Sequence, residues 1–385
     1  MALTVSQQPQ AYTPAYNSQI FTALSDQVAV SDFKYILTVQ VNGDTIETYN
    51  ILPRPDNYMV HDVMEWVKNY ITRDYFDPFS SYGLANGKAA NVQVKVKEYY
   101  TGAIQSTTTI NYVVWDACLT DDEFLTFDYE DYLGTSLAIL PLSDIANVDS
   151  RLTVLNGDSF LHFFKGTATE IEVIISDENG TLIDSGTTAI TTAYTGIHYF
   201  KYGVSTVTGL GHTVEDGWSI EVNIKNTIGT ILYTETKTFK SICTKYKEYG
   251  LYYLTREGKM DYMNFEMISI NSVAKTDESV RLNPAKLISG VYSRNSYDSD
   301  VNTVATETTK KVILNTYWIT PSQSEQLQDL FDSPIVYLKD FSANTYRAVT
   351  IKETNYVIGS GYTDPLIPLT LAVEYTSKET RQRGL

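Results

Sequence analysis

From Ser31 onward, apolar and polar positions alternate: Phe33, Tyr35, Leu37, Val39 and Val41 stand against Lys34, Thr38 and Gln40. A period of two is that of a strand with one buried face. Asn42-Gly43, a pair that adopts positive φ at little cost, folds this strand into a hairpin. After Pro53 and Pro55 the period lengthens. Val60, Val63, Met64, Val67 and Ile71 share one stripe while His61, Asp62, Glu65 and Lys68 fall elsewhere, which predicts an amphipathic helix lying on the sheet. Val92, Val94 and Val96 then alternate with Gln93, Lys95 and Lys97. Thr101-Gly102 turns this run back toward Tyr112-Val113-Val114-Trp115, a second hairpin. Residues 28–149 therefore read as an α+β domain of hairpin, helix and hairpin, closed by an acidic, aromatic connector that begins at Asp121–Asp131.

Beyond residue 150 the pattern becomes that of short strands between turn signals. Ile171–Ile175, Thr181–Ile183, Ile197–Tyr202, Trp218–Ile224 and Ile231–Phe239 are separated by Glu178-Asn179-Gly180, Gly209–Gly211 and Asp216-Gly217. This spacing predicts a β-sandwich, Ig-like in kind, over 150–242. Residues 243–385 are again β-rich but carry one announced helix at 320–331. Thr320 serves as N-cap, Pro321 sits at the first helical position, Gln323 completes a capping box, and Leu327, Leu330 and Phe331 form the buried stripe. The whole chain is thus expected to be mainly β and multi-domain, with two short amphipathic helices.

The two ends have no such period. Residues 1–27 are rich in Gln, Ser, Pro and Tyr, which predicts an extended arm, with Tyr12, Pro14 and Tyr16 as candidate anchors on a neighbouring subunit. At the other end Lys378, Arg381 and Arg383 follow a strand-like Leu369–Tyr375 and are candidates for docking on an acidic neighbour.

Composition sharpens this picture. A length of 385 residues exceeds the roughly 250–300 at which one core stops growing, so several domains are expected. Thirty tyrosines suit half-buried sheets, and they also suit protein interfaces, because the ring covers area while its hydroxyl still hydrogen-bonds. The 46 Asp and Glu against 29 Lys and Arg give a net charge of −17, which argues against a surface that tracks nucleic-acid phosphates. Cys118 and Cys243 form no CxxC pair, so neither a disulfide framework nor a zinc spacing is expected. The first residues lack the basic start and apolar run of a secretory signal, and no later stretch predicts membrane insertion.

Candidate chemistry is sparse. Gly157-Asp158-Ser159 resembles the nucleophile tripeptide of the GDSL hydrolases. However, no histidine follows His212, and no Asp stands three residues before any histidine, so the tripeptide reads as a turn entering the strand Phe160–Phe164. His61, His162, His198 and His212 show no HxH or HExxH spacing. Asp121, Asp122, Glu123, Asp128, Glu130 and Asp131 are numerous enough for an acid pair of the glycosidase kind, but nothing selects a pair among them. Asp298-Ser299-Asp300 lacks the spacing of a calcium loop. Gly209-Leu210-Gly211 and Gly359-Ser360-Gly361 lack the remaining residues of a phosphate or dinucleotide loop. No catalytic residue, metal site or cofactor is expected.

The order of features in the second half carries a resemblance. Arg151-Leu152-Thr153 precedes Asn156–Leu161; Cys243 and Tyr246 follow the sandwich; then come Tyr253-Leu254-Thr255-Arg256-Glu257-Gly258-Lys259-Met260-Asp261-Tyr262 and Asn264-Phe265-Glu266. The helix 320–331 runs into Ser333–Leu338, and Val349-Thr350-Ile351 closes the series. This succession resembles structural tail and neck ring proteins of tailed bacteriophages of Bacteroidetes, including the crAss-like phages. The resemblance implies a non-catalytic virion protein, assembled in the host cytoplasm as a homo-oligomeric ring that joins portal or other tail proteins. It also implies no cofactor and no direct nucleic-acid contact. Two competing readings are a receptor- or glycan-binding module using Trp218, Tyr199 and Tyr202 as sugar platforms, and a polysaccharide-degrading tail enzyme.

Overall fold

The computed structural model of the chain describes residues 3–72, 80–85, 87–130, 140–141, 153–154, 158–190, 196–215, 217–240, 245–281, 286–294, 301–319, 327–352 and 367–382. The architecture is mainly β, built of several sheets, and divides into two compact units: Met1–Ile242 with Leu254–Tyr262, and Cys243–Tyr253 with Met263–Leu385.

The first unit contains two layered β assemblies. In the first, a five-stranded sheet runs in the order Tyr12–Pro14, Ala103–Trp115, Ala89–Tyr100, Lys34–Val41, Asp44–Ile51. Both expected hairpins are present, with Asn42 and Gly43, and Thr101 and Gly102, all at positive φ, as a two-residue turn matched to strand twist requires. A second sheet of Thr4–Gln7, Ile20–Leu24 and Tyr58–Asp62 contributes to the same core. Phe21, Ala23 and Met59 are fully buried in one cluster with Tyr35, Leu37, Val39, Val94 and Val96.

Two expectations for this region are corrected. Residues 1–27 are not a free arm, because their three strands all pair within the unit. The composition looks arm-like because the strands are short, and the buried face of Ile20–Leu24 consists of only two residues, Phe21 and Ala23. The helix expected from Val60 begins later. Tyr58–Asp62 is a strand, and only Met64–Val67 and a 3-10 turn at Lys68–Tyr70 are helical. Asp62 ends the strand by accepting hydrogen bonds from the Met64 and Gln19 amides at 2.9 Å each, while Val63, Val67 and Ile71 keep the expected buried stripe.

The second assembly is the expected sandwich. One sheet orders Leu140–Pro141, Asp158–Phe164, Ile197–Gly203 and Tyr82–Leu84. The other orders Thr153–Val154, Ile231–Lys240, Ser219–Asn226, Ala168–Ser176 and Leu182–Ala189. Leu161, Phe163, Phe200 and Tyr202 meet Ile171, Val173, Ile220, Val222 and Ile224 in a shared core. The expected boundary near 150 does not separate compact bodies, because Tyr82–Leu84 from the earlier region completes an edge of the sandwich sheet. Ala85 donates to Ile197 at 2.8 Å and Lys201 to Ser81 at 2.7 Å. The units first divide between Ile242 and Cys243, and Leu254–Tyr262 returns to the first.

The connector is more structured than its charge suggests. Asp121–Leu125 is a short helix closed by a capping box between Thr120 and Glu123, with its acids in the first turn, where the helix dipole favours them.

In the second unit a sheet runs in the order Met260–Phe265, Tyr249–Leu254, Val336–Asp340, Thr345–Ile351, Ile367–Tyr375, Val301–Ile319, Ile270–Arg281. The last three residues of its first strand belong to this unit, and Glu379–Gln382 also pairs with Val301–Ile319. Leu251, Leu314, Leu338, Leu371 and Val373 form the core, joined by Leu327 and by Leu330 of the helix Gln328–Asp332. The proposed capping residues Thr320, Pro321 and Gln323 lie outside the described residues.

Candidate interaction surface

Of the residues expected to anchor on a neighbour, Tyr12, Pro14 and Tyr16 are turned inward and Lys378 is tied down locally. Tyr12–Pro14 runs parallel to Val113–Trp115, and Pro14 is buried. The Tyr12 ring lies 5.7 Å from Tyr129 and 5.2 Å edge-on from Phe164, and burial pushes its hydroxyl pKa up. Tyr16 is partly buried against the first core cluster. Lys378 is exposed and pairs with Glu307 at 2.9 Å, which holds its ammonium pKa above the usual value. Arg381 sits on Glu379–Gln382, opposite Thr306, while Arg383 lies outside the described residues.

The four histidines occupy separate environments. His61 stacks on Trp66 at 5.3 Å, His198 Nδ1 shares a 2.8 Å hydrogen bond with the Tyr82 hydroxyl, and His212 meets Asp184 at 3.0 Å. His162 is buried, and desolvation, helped by the charges of Lys259 and Lys88, lowers its pKa to about 3, so the ring is neutral. Among the described residues no group of three or more His, Cys, Asp or Glu is placed to hold a metal ion. Asp158 of the GDS tripeptide is structural: its carboxylate accepts from the Ser205 amide at 2.8 Å and lies 3.9 Å from Lys201 Nζ. Of the acidic run, Glu123 is held by Arg256 at 3.5 Å as well as by its cap. Asp131 and Asp298-Ser299-Asp300 fall outside the described residues.

The sugar-platform assignment is corrected. Tyr199 and Tyr202 are 2% and 1% exposed, and Trp218 packs against the sandwich core. Alternation placed these rings on strands without revealing that both faces of Ile197–Gly203 are covered. A surface groove of about 480 Å³ does lie on the first sheet near Tyr12, lined by Gln40, Gln93 and Asn111. Its amides are engaged with one another and with Thr45: Gln93 donates to Asn111 at 2.8 Å and Gln40 to Thr45 at 2.9 Å.

The segment Leu254–Tyr262, prominent in the sequence, acts as a clip within the first unit. Thr255 donates to Lys259 across a turn whose Gly258 has φ +87°, and the Trp115 indole donates to the Glu257 carbonyl at 2.8 Å. Nearby, Lys88 and Asp116 form a buried ion pair.

The feature that the sequence reading missed is a ribbon in the second unit. Ile270–Arg281 pairs with Val301–Ile313 over its full length, at the edge of the sheet, and each of its twelve residues is exposed. Between these strands the chain forms a small hairpin, Lys286–Ile288 with Val291–Ser293, turned by Ser289 and Gly290 at positive φ. Leu287, Val291 and Tyr292 on it are 62%, 68% and 70% exposed. A signal was available: Ile270, Val273, Ala274 and Val280 do not alternate, as expected of a strand with no buried face of its own.

No family model matches the chain, and no curated protein matches it. Among solved structures, the pullulanase SAP of Group B Streptococcus is similar over 61% of this chain and 23% of its own length, at 13% identity and a TM-score of 0.23. The two-domain structure Rst D1-D2 is similar over 63% of this chain and 100% of its own, at 8% identity and a TM-score of 0.20. The BSP domain of a biofilm associated protein is similar over 77% and 61%, at 8% identity and a TM-score of 0.18. Likeness of this order assigns neither activity nor partner. Among the described residues no helix is long and apolar enough to cross a membrane.

Proposed function

We propose that this chain is a non-catalytic structural subunit of a bacteriophage virion, a component of a tail or neck ring that assembles as a homo-oligomer and joins portal or other tail proteins. The observation that carries the reading is the exposed ribbon. Ile270–Arg281 is the open edge of its sheet, and a long open edge invites aggregation unless a partner covers it. An edge strand whose twelve residues are all exposed, continued by an exposed tip strand, is therefore an element made for assembly. The order of motifs after residue 150 supports the phage assignment. The side chains that suggested chemistry have structural roles: Asp158 fixes a strand end, Glu123 closes a helix cap, and His162 is a buried neutral ring. Gold-labelled antibody against the chain, imaged by negative stain on purified virions, tests the reading. Label at the tail or neck is expected, and its absence from both would overturn the proposal.

A further inference from the structure

We infer that the ribbon of Ile270–Arg281 and its partner strand from Val301, with the tip hairpin Lys286–Ser293, docks on the acidic body of a second copy of this chain, in a head-to-tail contact. The inference rests on the ring reading and specifies the surface that would make the ring.

Three observations favour a second copy as the occupant. The first is charge. Residues 270–281, 286–294 and 301–311 carry six Lys and Arg (Lys275, Arg281, Lys286, Arg294, Lys310, Lys311) against three Asp and Glu (Asp277, Glu278, Glu307), a net +3, so the remainder of the −17 chain carries −20. Two such bodies repel when brought face to face. The ribbon can approach an acidic neighbour without that penalty, and its small positive excess favours the approach.

The second is area. Twelve residues at about 3.4 Å each make a ribbon of roughly 40 Å, and two strands at about 4.8 Å make it roughly 10 Å wide. Covering the twelve exposed residues of Ile270–Arg281 together with the exposed tip would remove on the order of 800 Å² from one partner, which is the size of a standard specific interface. The third is apolar content. Ile270, Val273 and Val280 are 55%, 62% and 51% exposed, and Leu287, Val291 and Tyr292 extend the apolar surface to the tip.

The direction of the contact follows from the same geometry. Edge-to-edge pairing of Ile270–Arg281 with its own symmetry mate would satisfy the open edge but leave both faces wet, and it would end at a dimer. Laying the ribbon on a different surface of the next copy covers the faces, and a head-to-tail contact of that kind closes into a ring when its rotation permits.

The test uses the full chain. With p-benzoylphenylalanine in place of Tyr292, and an equal mixture of isotopically light and heavy protein, irradiation is expected to give mixed-mass cross-links from Tyr292 to body residues outside 270–311. In sedimentation equilibrium the triple variant V273K/V291K/Y292K is expected to self-associate at least about tenfold more weakly than the parent. Its circular dichroism and melting should be unchanged, because all three positions are exposed. Cross-links confined to single chains, or running only from ribbon to ribbon, would overturn the inference. So would a parent that stays monomeric at about 100 µM, where an interface of this size should associate, or a folded triple variant that associates as tightly as the parent. These outcomes leave the ring reading to its own test: label at the tail without ribbon-dependent association would sink only the docking surface, and association without label at the tail or neck would sink the ring reading.

Discussion

Gly258 faces the backbone carbonyl of Asp116 so closely that a Cβ at position 258 would overlap it, and its φ of +87° is one that other residues adopt only under strain. Gly258→Ala should therefore destabilise the first unit twice over. The left-handed conformation costs about 1 kcal/mol, and the overlap adds enough to bring the total to roughly 3 kcal/mol. Urea unfolding followed by Trp115 fluorescence measures it. A change within about 0.5 kcal/mol would mean that the clip does not seat against Asp116.

Lys88 and Asp116 are both buried and paired, with side chains 6% and 3% exposed. Removing one partner leaves the other charge without compensation in a poorly hydrated site. Lys88→Met or Asp116→Leu alone should cost on the order of 3–5 kcal/mol, whereas the double replacement should recover most of that. A double-mutant cycle in urea reads the coupling, and additive single effects would contradict a paired site.

The strands were legible in the sequence wherever one face is buried, because alternation is then enforced residue by residue, as in Phe33 to Val41 and Val92 to Val96. Legibility failed where burial comes from elsewhere. The Tyr12–Pro14 and Thr4–Gln7 strands are too short for a period to register and owe their place to partners about 20 to 100 residues away. Tyr82–Leu84 is legible only through Gly83, which lets the Tyr199 ring lie against its backbone. The ribbon was missed for the opposite reason: it has length and pairing but no buried face, so its pattern looks like polar connection.

His162 in the first unit and Glu266 in the second should respond to acid in opposite directions. His162 has its pKa lowered to about 3 in the fold, chiefly by burial, so the unfolded chain takes up its proton first. The contribution of neutral His162 is present above its unfolded value of about 6.5. It is lost as pH falls toward 3, at up to about 1.4 kcal/mol per pH unit. Glu266, buried in the second unit near the charge of Glu248, has its pKa raised to about 7. Here the folded state holds the proton, so stability falls as pH rises from about 4.5 through 7 and levels off above. Thermal melts resolved by unit should show His162→Phe flattening the acid limb of the first and Glu266→Gln stabilising the second at pH 8. Equal slopes in parent and variants would contradict both assignments.

Residues 1–27 provide the sharpest separation between a packed strand and an assembly arm. Asn17 is buried and bridges the backbone of Leu119 in both directions, donating to its carbonyl and accepting from its amide at 2.9 Å each. The Gln19 side chain likewise donates to Ala15 and accepts from the Tyr112 hydroxyl at 2.8 Å. A free arm would tolerate Asn17→Ala with no change in melting and lose only contacts to neighbours. In the packed arrangement the substitution strands a buried amide and a buried carbonyl, at about 2–3 kcal/mol. Deleting residues 1–18 should cost more, because it removes two sheet strands, Thr4–Gln7 and Tyr12–Pro14, together with Ala15 from the core. Differential scanning calorimetry of the full chain and both variants decides the matter: a lowered transition for the first unit with the second unchanged is expected, and two unchanged transitions would restore the arm.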